Sequence, residues 1–269
     1  SQTAFCGAVH LHGSPDNRLL ADLDCNGWPQ HGRNEALKRI RRVWAPHICG
    51  DQHLAVLVQH GIESPSDGPF GFTVPAIVNT IYGRWWHPED EQPGEHPVTE
   101  SPLPWTGEYE DGLGNLIRML AYANPEDRRD ETKRADGYGV VRFNKPDRTI
   151  TFECWPRFAS VDDGDAAQFS GWPVTIQMQD NDGRDVVGFL PALKLAAADS
   201  VVVQVVNEAS GEIVYTIRAS DGFRPPIHEA GTYTIKVGKD RPDGKTISGV
   251  KSGPRDDTRS LEVGEFHQR

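Results

Sequence analysis

Apolar positions between residues 33 and 44 recur at helical spacing. Ala36, Leu37, Ile40, Val43 and Trp44 fall on one face, and Lys38, Arg39, Arg41 and Arg42 fall on the other. Asn34 is placed to cap this predicted helix and Pro46 to stop it. His47 to Cys49 then reads as a short strand, 54–60 as a second and 70–77 as a third. Residues 113–123 are apolar and read equally as helix or strand. Residues 138–143 and 149–154 predict a hairpin around Asn144-Lys145-Pro146-Asp147. After Trp172 the pattern becomes short strands at 174–178, 201–206, 213–217 and 232–237. Asn181-Asp182-Gly183 and Ser210-Gly211 are turns between them. The expected fold class is α/β (α+β) for residues 1–170, followed by an all-β domain over 171–269.

The all-β part, with Ala230-Gly231-Thr232-Tyr233-Thr234 near its end, resembles an immunoglobulin-like or fibronectin-like sandwich. Within the first domain, residues 87–112 are rich in proline and acidic side chains and cannot hold a long regular element. A loop of that length is either functional or covers something.

Composition narrows the choice of function. Hydrophobic content of 37%, with seven Trp and ten Phe, supports a packed core. A net charge of −11 repels phosphate backbones, which argues against nucleic acid as a general partner. No apolar run reaches the roughly 20 residues that span a bilayer. The start has neither a Met nor a signal-peptide pattern, so a processed or truncated product is expected. Cys6, Cys25, Cys49 and Cys154 form no Cys-x-x-Cys pair. They read as buried thiols, or as one disulfide among Cys6, Cys25 and Cys49 in an exported protein.

The candidate chemistry sits in Gly50-Asp51-Gln52-His53, between two apolar runs. A carboxylate and an imidazole two residues apart, delivered where a strand ends, suit a hard divalent or trivalent metal. The competing reading is a tight turn.

Two segments together resemble the later part of an alkaline phosphatase D-like, or calcineurin-like, metallophosphoesterase. The first is Asp22-Leu23-Asp24-Cys25-Asn26-Gly27-Trp28-Pro29 with Gly32-Arg33 and the helix; the second is His47 to Leu54. Phe72 to Ile77, Arg84-Trp85-Trp86-His87-Pro88 and the run from Tyr138 through Phe152-Glu153-Cys154-Trp155-Pro156 are similar to one branch of that family. The resemblance implies part of a four-layer α/β/β/α sandwich with a metal cluster at the sheet edge. It implies an exported (periplasmic or cell-surface) phosphomonoesterase or phosphodiesterase acting on a phosphate ester. Two or more metal ions are implied, drawn from iron, calcium, zinc and manganese. Asp51 and His53 would belong to the last metal-binding loop, with Asp24 and Asn26 near it. Arg33 could contact phosphate or brace the helix. The family's early Asp motif and its Asn-His-Asp segment have no counterpart here. The expected partner is therefore an N-terminal half, covalent or supplied as a second chain, and residues 1–269 alone are expected to be inactive.

Other readings stay open. The chain could be a non-catalytic subunit that binds carbohydrate or a cell-surface polymer through the β-sandwich, or a structural fragment. Trp85 and Trp86 could stack on a sugar or base, although neighbours in a strand face opposite ways. Glu89, Asp90 and Glu91 read as a solvated loop. His12, His47 and His60 are candidates for a general acid, with nothing to select among them.

Overall fold

The computed structural model describes residues 1–8, 11–12, 23–78, 83–85, 93–127, 129–195 and 200–264. They form two compact units: Ser1–Arg41 with Ala45–Gly183, and Arg42–Trp44 with Arg184–Arg269.

In the first unit the helix α1 spans Gln30–Arg41. It begins earlier than the apolar spacing indicates, because the Pro29 carbonyl accepts from Gly32 N at 3.0 Å and Arg33 N at 3.2 Å. A proline just ahead of a helix loses nothing by lacking an N–H. Asn34 therefore lies inside the helix rather than capping it. The far end is also shorter than expected: the helix stops at Arg41, and Trp44 takes a left-handed φ of 52°.

The strands of this unit are β1 (Leu11–His12), β2 (His47–Cys49), β3 (Ala55–His60), β4 (Phe70–Thr73), β5 (Gly83–Arg84), β6 (Gly107–Glu110), β7 (Leu116–Ala123), β8 (Gly137–Asn144), β9 (Thr149–Pro156) and β10 (Val174–Gln177). Five of them make one sheet in the order β2-β4-β3-β7-β6. Only the β2–β4 pairing in it is parallel. Every residue of β3 is buried, as in a strand covered on both faces. Alternate residues from Leu54 to Val58 feed two cores. Leu54, Val56 and Val58 pack with Trp85, Tyr109, Ile117 and Met119. Ala55 and Leu57 pack with Phe72, Ala121, Phe152, Cys154 and Trp172. The second core joins the five-stranded sheet to an antiparallel sheet of order β10-β9-β8. Phe72 lies 5.6 Å from Phe152 and 5.2 Å from Trp172 between ring centroids. Burial of each such side chain contributes about 1.5–3 kcal/mol.

The four-layer α/β/β/α arrangement is not present among the described residues. They hold α1 and three 3₁₀ turns, and are otherwise mostly strand and loop. The reason is connectivity. Most neighbouring strands here are antiparallel, so hairpins and loops join them where parallel strands would need crossover helices. The ambiguous segment 113–123 resolves as strand β7, whose side chains alternate in burial along its first half. The 138–154 hairpin forms as β8 and β9, with Asn144 opposite Thr149.

The second unit is all-β. Its strands are β11 (Gly188–Phe189), β12 (Ala192–Leu195), β13 (Val201–Asn207), β14 (Ile213–Ala219), β15 (Pro226–Ile227), β16 (Thr232–Gly238), β17 (Lys245–Lys251) and β18 (Ser260–Gly264). An antiparallel sheet runs β14-β13-β16-β17, and β12 pairs in parallel with β18. Tyr215 and Tyr233 are buried in it, and the Tyr215 hydroxyl donates to the Pro226 carbonyl at 2.9 Å.

Candidate functional site

The tetrapeptide Gly50 to His53 follows β2, at the edge of the five-stranded sheet, and leads into β3. Two backbone bonds fix where the loop starts: Gly50 N donates to Gln2 O at 3.0 Å, and Val74 N donates to Cys49 O at 2.9 Å. Gln52 N then donates back to Gly50 O at 2.9 Å across Asp51, whose φ is 73°. This is a γ-turn of the positive-φ kind, which is rare and strained. His53, two residues on, is also left-handed with φ 52°. Two such positions that are not glycine, so close together, cost on the order of 1–3 kcal/mol each.

The turn sends three side chains in different directions. Asp51 is exposed, His53 is half-buried, and Gln52 between them is buried. The Gln52 Oε1 is enclosed and meets no hydrogen-bond donor. An enclosed carbonyl oxygen of this kind costs free energy unless something binds it.

Asp24 and Asn26 lie in the loop ahead of α1, both exposed. Asn26 N donates to Ala4 O at 2.8 Å, while Gly50 N holds Gln2 O. Both loops are thus tied to one N-terminal segment, at carbonyls that an extended chain separates by about 7 Å. Asp24 does not join Asp51 and His53 in a group of three donor side chains. For a metal, Asp51 offers an oxygen and His53 a nitrogen, a chemically suitable pair that needs further ligands.

Arg33 is buried on α1. Its Nε donates to Phe5 O at 2.9 Å, Nη2 to Leu116 O at 3.3 Å, and Nη1 to Asn34 Oδ1 at 2.8 Å and to Gly61 O. Burial lowers its pKa from the ordinary guanidinium value. These bonds tie the helix to the N-terminal segment and to the ends of two strands.

Of the histidines named from sequence, His47 and His60 are buried and flank Phe5, at centroid distances of 4.4 and 6.2 Å. His47 Nε2 bonds Ser1 Oγ at 2.7 Å. Burial pushes the His47 pKa down to about 4, and burial beside Arg33 pushes that of His60 well below its usual value. Both are therefore neutral at pH 7. The side chain of His12 lies outside the described residues, as do Trp86, His87, Glu89, Asp90 and Glu91. Trp85 is a core residue whose Nε1 donates to Trp105 O at 2.9 Å.

The sequence reading did not single out Glu95, His96 and Glu108. Among the described residues they are the one group of three with donor atoms mutually close enough for an ion. Glu95 and Glu108 exchange backbone bonds of 3.2 and 2.7 Å, and His96 Nδ1 lies 3.0 Å from Glu108 Oε2. The group is largely exposed and already forms its own ion pair when His96 is protonated. Only the bridge between a loop and β6 brings Glu108 to the adjacent Glu95-His96, so no local spacing announces it. A separate open cavity of about 460 Å³ is lined by Val98, Glu100, Leu120, Trp172, Pro173 and Thr175 among others, and shares no residue with the tetrapeptide.

No protein-family model matches the chain, and no curated protein or solved structure matches it.

Proposed function

We propose that this chain supplies the Asp51–His53 part of a metal-dependent phosphoesterase site of the alkaline phosphatase D-like kind. The second unit would be an appended immunoglobulin-like sandwich. The observation that carries the reading is the strained turn at the end of β2. It places an exposed carboxylate and a half-buried imidazole on either side of an enclosed, unpartnered carbonyl oxygen. Strain of this kind persists where a site needs it.

Asp51 and His53 would be the residues that hold metal here, with Asp24 and Asn26 on the neighbouring loop. Bound metal ions supply charge neutralisation and an activated water for phosphate-ester hydrolysis. Asp51 contributes a fixed anionic oxygen. The His53 imidazole contributes one ring nitrogen, its orientation set by what the other nitrogen meets. Arg33 acts at a distance by holding α1, the N-terminal segment and the strand ends in register. The remaining ligands would come from an N-terminal half, covalent or as a second chain. Export to an oxidising compartment is part of the same proposal.

The competing carbohydrate-binding reading has less support. Among the described residues of the second unit, the exposed large hydrophobic side chains are aliphatic, so no exposed aromatic platform for a sugar is available there.

The test uses the protein together with the polypeptide that completes the ligand set. Metal content and hydrolysis of p-nitrophenyl phosphate and bis-p-nitrophenyl phosphate are measured with iron, calcium, zinc or manganese. His53→Ala is expected to lose more activity than the roughly 10–100-fold seen when a group supporting a metal ligand is removed, while remaining folded by urea titration. Near-normal turnover by that variant would sink the assignment. Robust metal-dependent turnover by residues 1–269 alone would overturn the division of the ligands.

A further inference from the structure

Two residues of β10, Val174 and Thr175, line the open cavity of about 460 Å³. β10 is an edge strand: among the described residues it pairs only with β9, in the sheet β10-β9-β8. The bonds around it show which of its backbone groups are used. Cys154 N donates to Gln168 Oε1 at 3.1 Å, and Cys154 O accepts from Phe169 N at 3.0 Å, so the Cys154 backbone faces away from β8. Alternate residues of a strand bond to opposite sides. Phe152 and Ile150 therefore face β10, and their partners Val174 and Ile176 face β9. Met178 N continues that phase by donating to Arg148 O at 2.7 Å.

Thr175 and Gln177 consequently direct their N–H and C=O groups outward from the sheet. Gln177 N is met by Asp180 Oδ2 at 2.9 Å. The N–H and C=O of Thr175 meet no partner among the described residues, and Pro173 ahead of it has no N–H to offer. One residue of open edge is thus left at the cavity. Further lining comes from the turn 98–101, in which Ser101 N donates to Val98 O at 3.3 Å. Glu100 holds the third position of that turn with a φ of 64°, where turns of this kind usually carry glycine. It is exposed, and it is the one charged residue in the lining. No Lys, Arg or His lines the cavity, so it does not suit a phosphate ester.

We propose that the cavity docks an extended, basic segment of a partner protein, which pairs with the N–H and C=O of Thr175 and sets a lysine or arginine side chain beside Glu100. A peptide that adds a strand to a sheet edge takes affinity from main-chain bonds and specificity from a side-chain pocket. Charge selects the occupant: the lining carries a single carboxylate and the whole chain a net charge of −11, so a basic segment is drawn in and an acidic one is repelled. The proposal stands apart from any metal chemistry at Asp51 and His53.

The test titrates isotope-labelled residues 1–269 with the end-blocked peptide Thr-Val-Lys-Val-Thr and follows amide signals by NMR. The Thr175 and Glu100 signals are expected to shift together and saturate. Glutamate in place of the peptide's lysine should weaken binding. Glu100→Gln should weaken the lysine peptide by about two- to fivefold, as for an exposed charge pair. Thr175→Pro removes an N–H that points away from β9, which an edge strand tolerates, and it should abolish binding in a chain that stays folded. N-methylation of the peptide amides, one at a time, removes the matching bond without touching the protein, and at least one position should abolish binding. Butylamine is the control for a bare cation. Equal affinity for butylamine would overturn the peptide in favour of a small amine. Equal binding of the lysine and glutamate peptides, N-methylation without effect at every position, or no shift at millimolar peptide would also overturn the proposal.

Discussion

The imidazole of His60 occupies the space that a Cβ on Gly71 would need. A methyl group there would meet Nε2 and both neighbouring ring carbons, with Nε2 well inside 3.0 Å. His60 ends β3 and Gly71 lies in β4, so the absence of a side chain on one strand is what admits a buried ring from the next. Gly71→Ala is therefore expected to destabilise the chain by about 1–3 kcal/mol through overpacking. Urea unfolding checks this. An unchanged midpoint would mean that the ring moves aside freely.

Acid should unfold the protein through two buried imidazoles, His47 and His60. Burial lowers the pKa of His47 to about 4 and that of His60 well below its ordinary value. In the unfolded chain both titrate near 6.5. The unfolded state therefore binds more protons below that pH. The stability these groups contribute is complete above about pH 6.5 and is lost as pH falls toward about 4. For His47 the loss is on the order of 3 kcal/mol across that window. His47→Gln should flatten the fall in urea midpoint between pH 6.5 and 4. Identical slopes in the variant and the wild type would refute this origin of acid sensitivity.

Arg33→Lys is expected to lose about 3 kcal/mol of stability. Lysine cannot reproduce a planar fork that reaches Phe5, Gly61 and Leu116 carbonyls at once. The carbonyls left behind are buried or partly so. Denaturant titration of the variant gives the answer. A variant as stable as wild type, but with a raised KM for a phosphate ester, would instead place Arg33 on the substrate.

His53→Gly separates strain from function. Glycine adopts a positive φ without the Cβ penalty, so the relief of strain should offset the contacts the imidazole gives up and leave stability within about 1 kcal/mol of wild type. The same change removes the imidazole and should lower metal uptake by the completed protein. Calorimetric unfolding and metal analysis on one sample test both halves. Near-wild-type stability with unchanged metal content would leave the turn strained for some other reason.

Much of the strand pattern could be read directly. β2, β3 and the β8–β9 hairpin follow from runs of apolar and β-branched residues punctuated by turn residues, which local chain chemistry dictates. The tetrapeptide Gly50 to His53 was equally visible, because its chemistry and its place between apolar runs are local. Its γ-turn at Asp51 and the burial of Gln52 were not, since both depend on backbone bonds to residues far away in the chain. The helix boundaries moved for a similar reason: Pro29 and the left-handed Trp44 set them, while the apolar stripe alone points to 33–44.

By itself, then, the sequence determined β2, β3, the β8–β9 hairpin and the run of short strands that makes the second unit all-β, and which carboxylate and imidazole stand at the end of β2. These are properties of neighbours along the chain, fixed by propensity and period. It did not fix the end of β4, which stops at Thr73, or reveal β6 within the proline-rich stretch. Only the tertiary structure decided that residues 116–123 form a central strand and not a helix. It also decided that Arg33 is enclosed by three carbonyls, that Glu108 meets Glu95 and His96, and that Asp111 and Asn115 join Gly7 to Gly27. Each of these depends on contacts between residues distant in sequence, and the burial and hydrogen bonding that select them exist only once the sheets have packed.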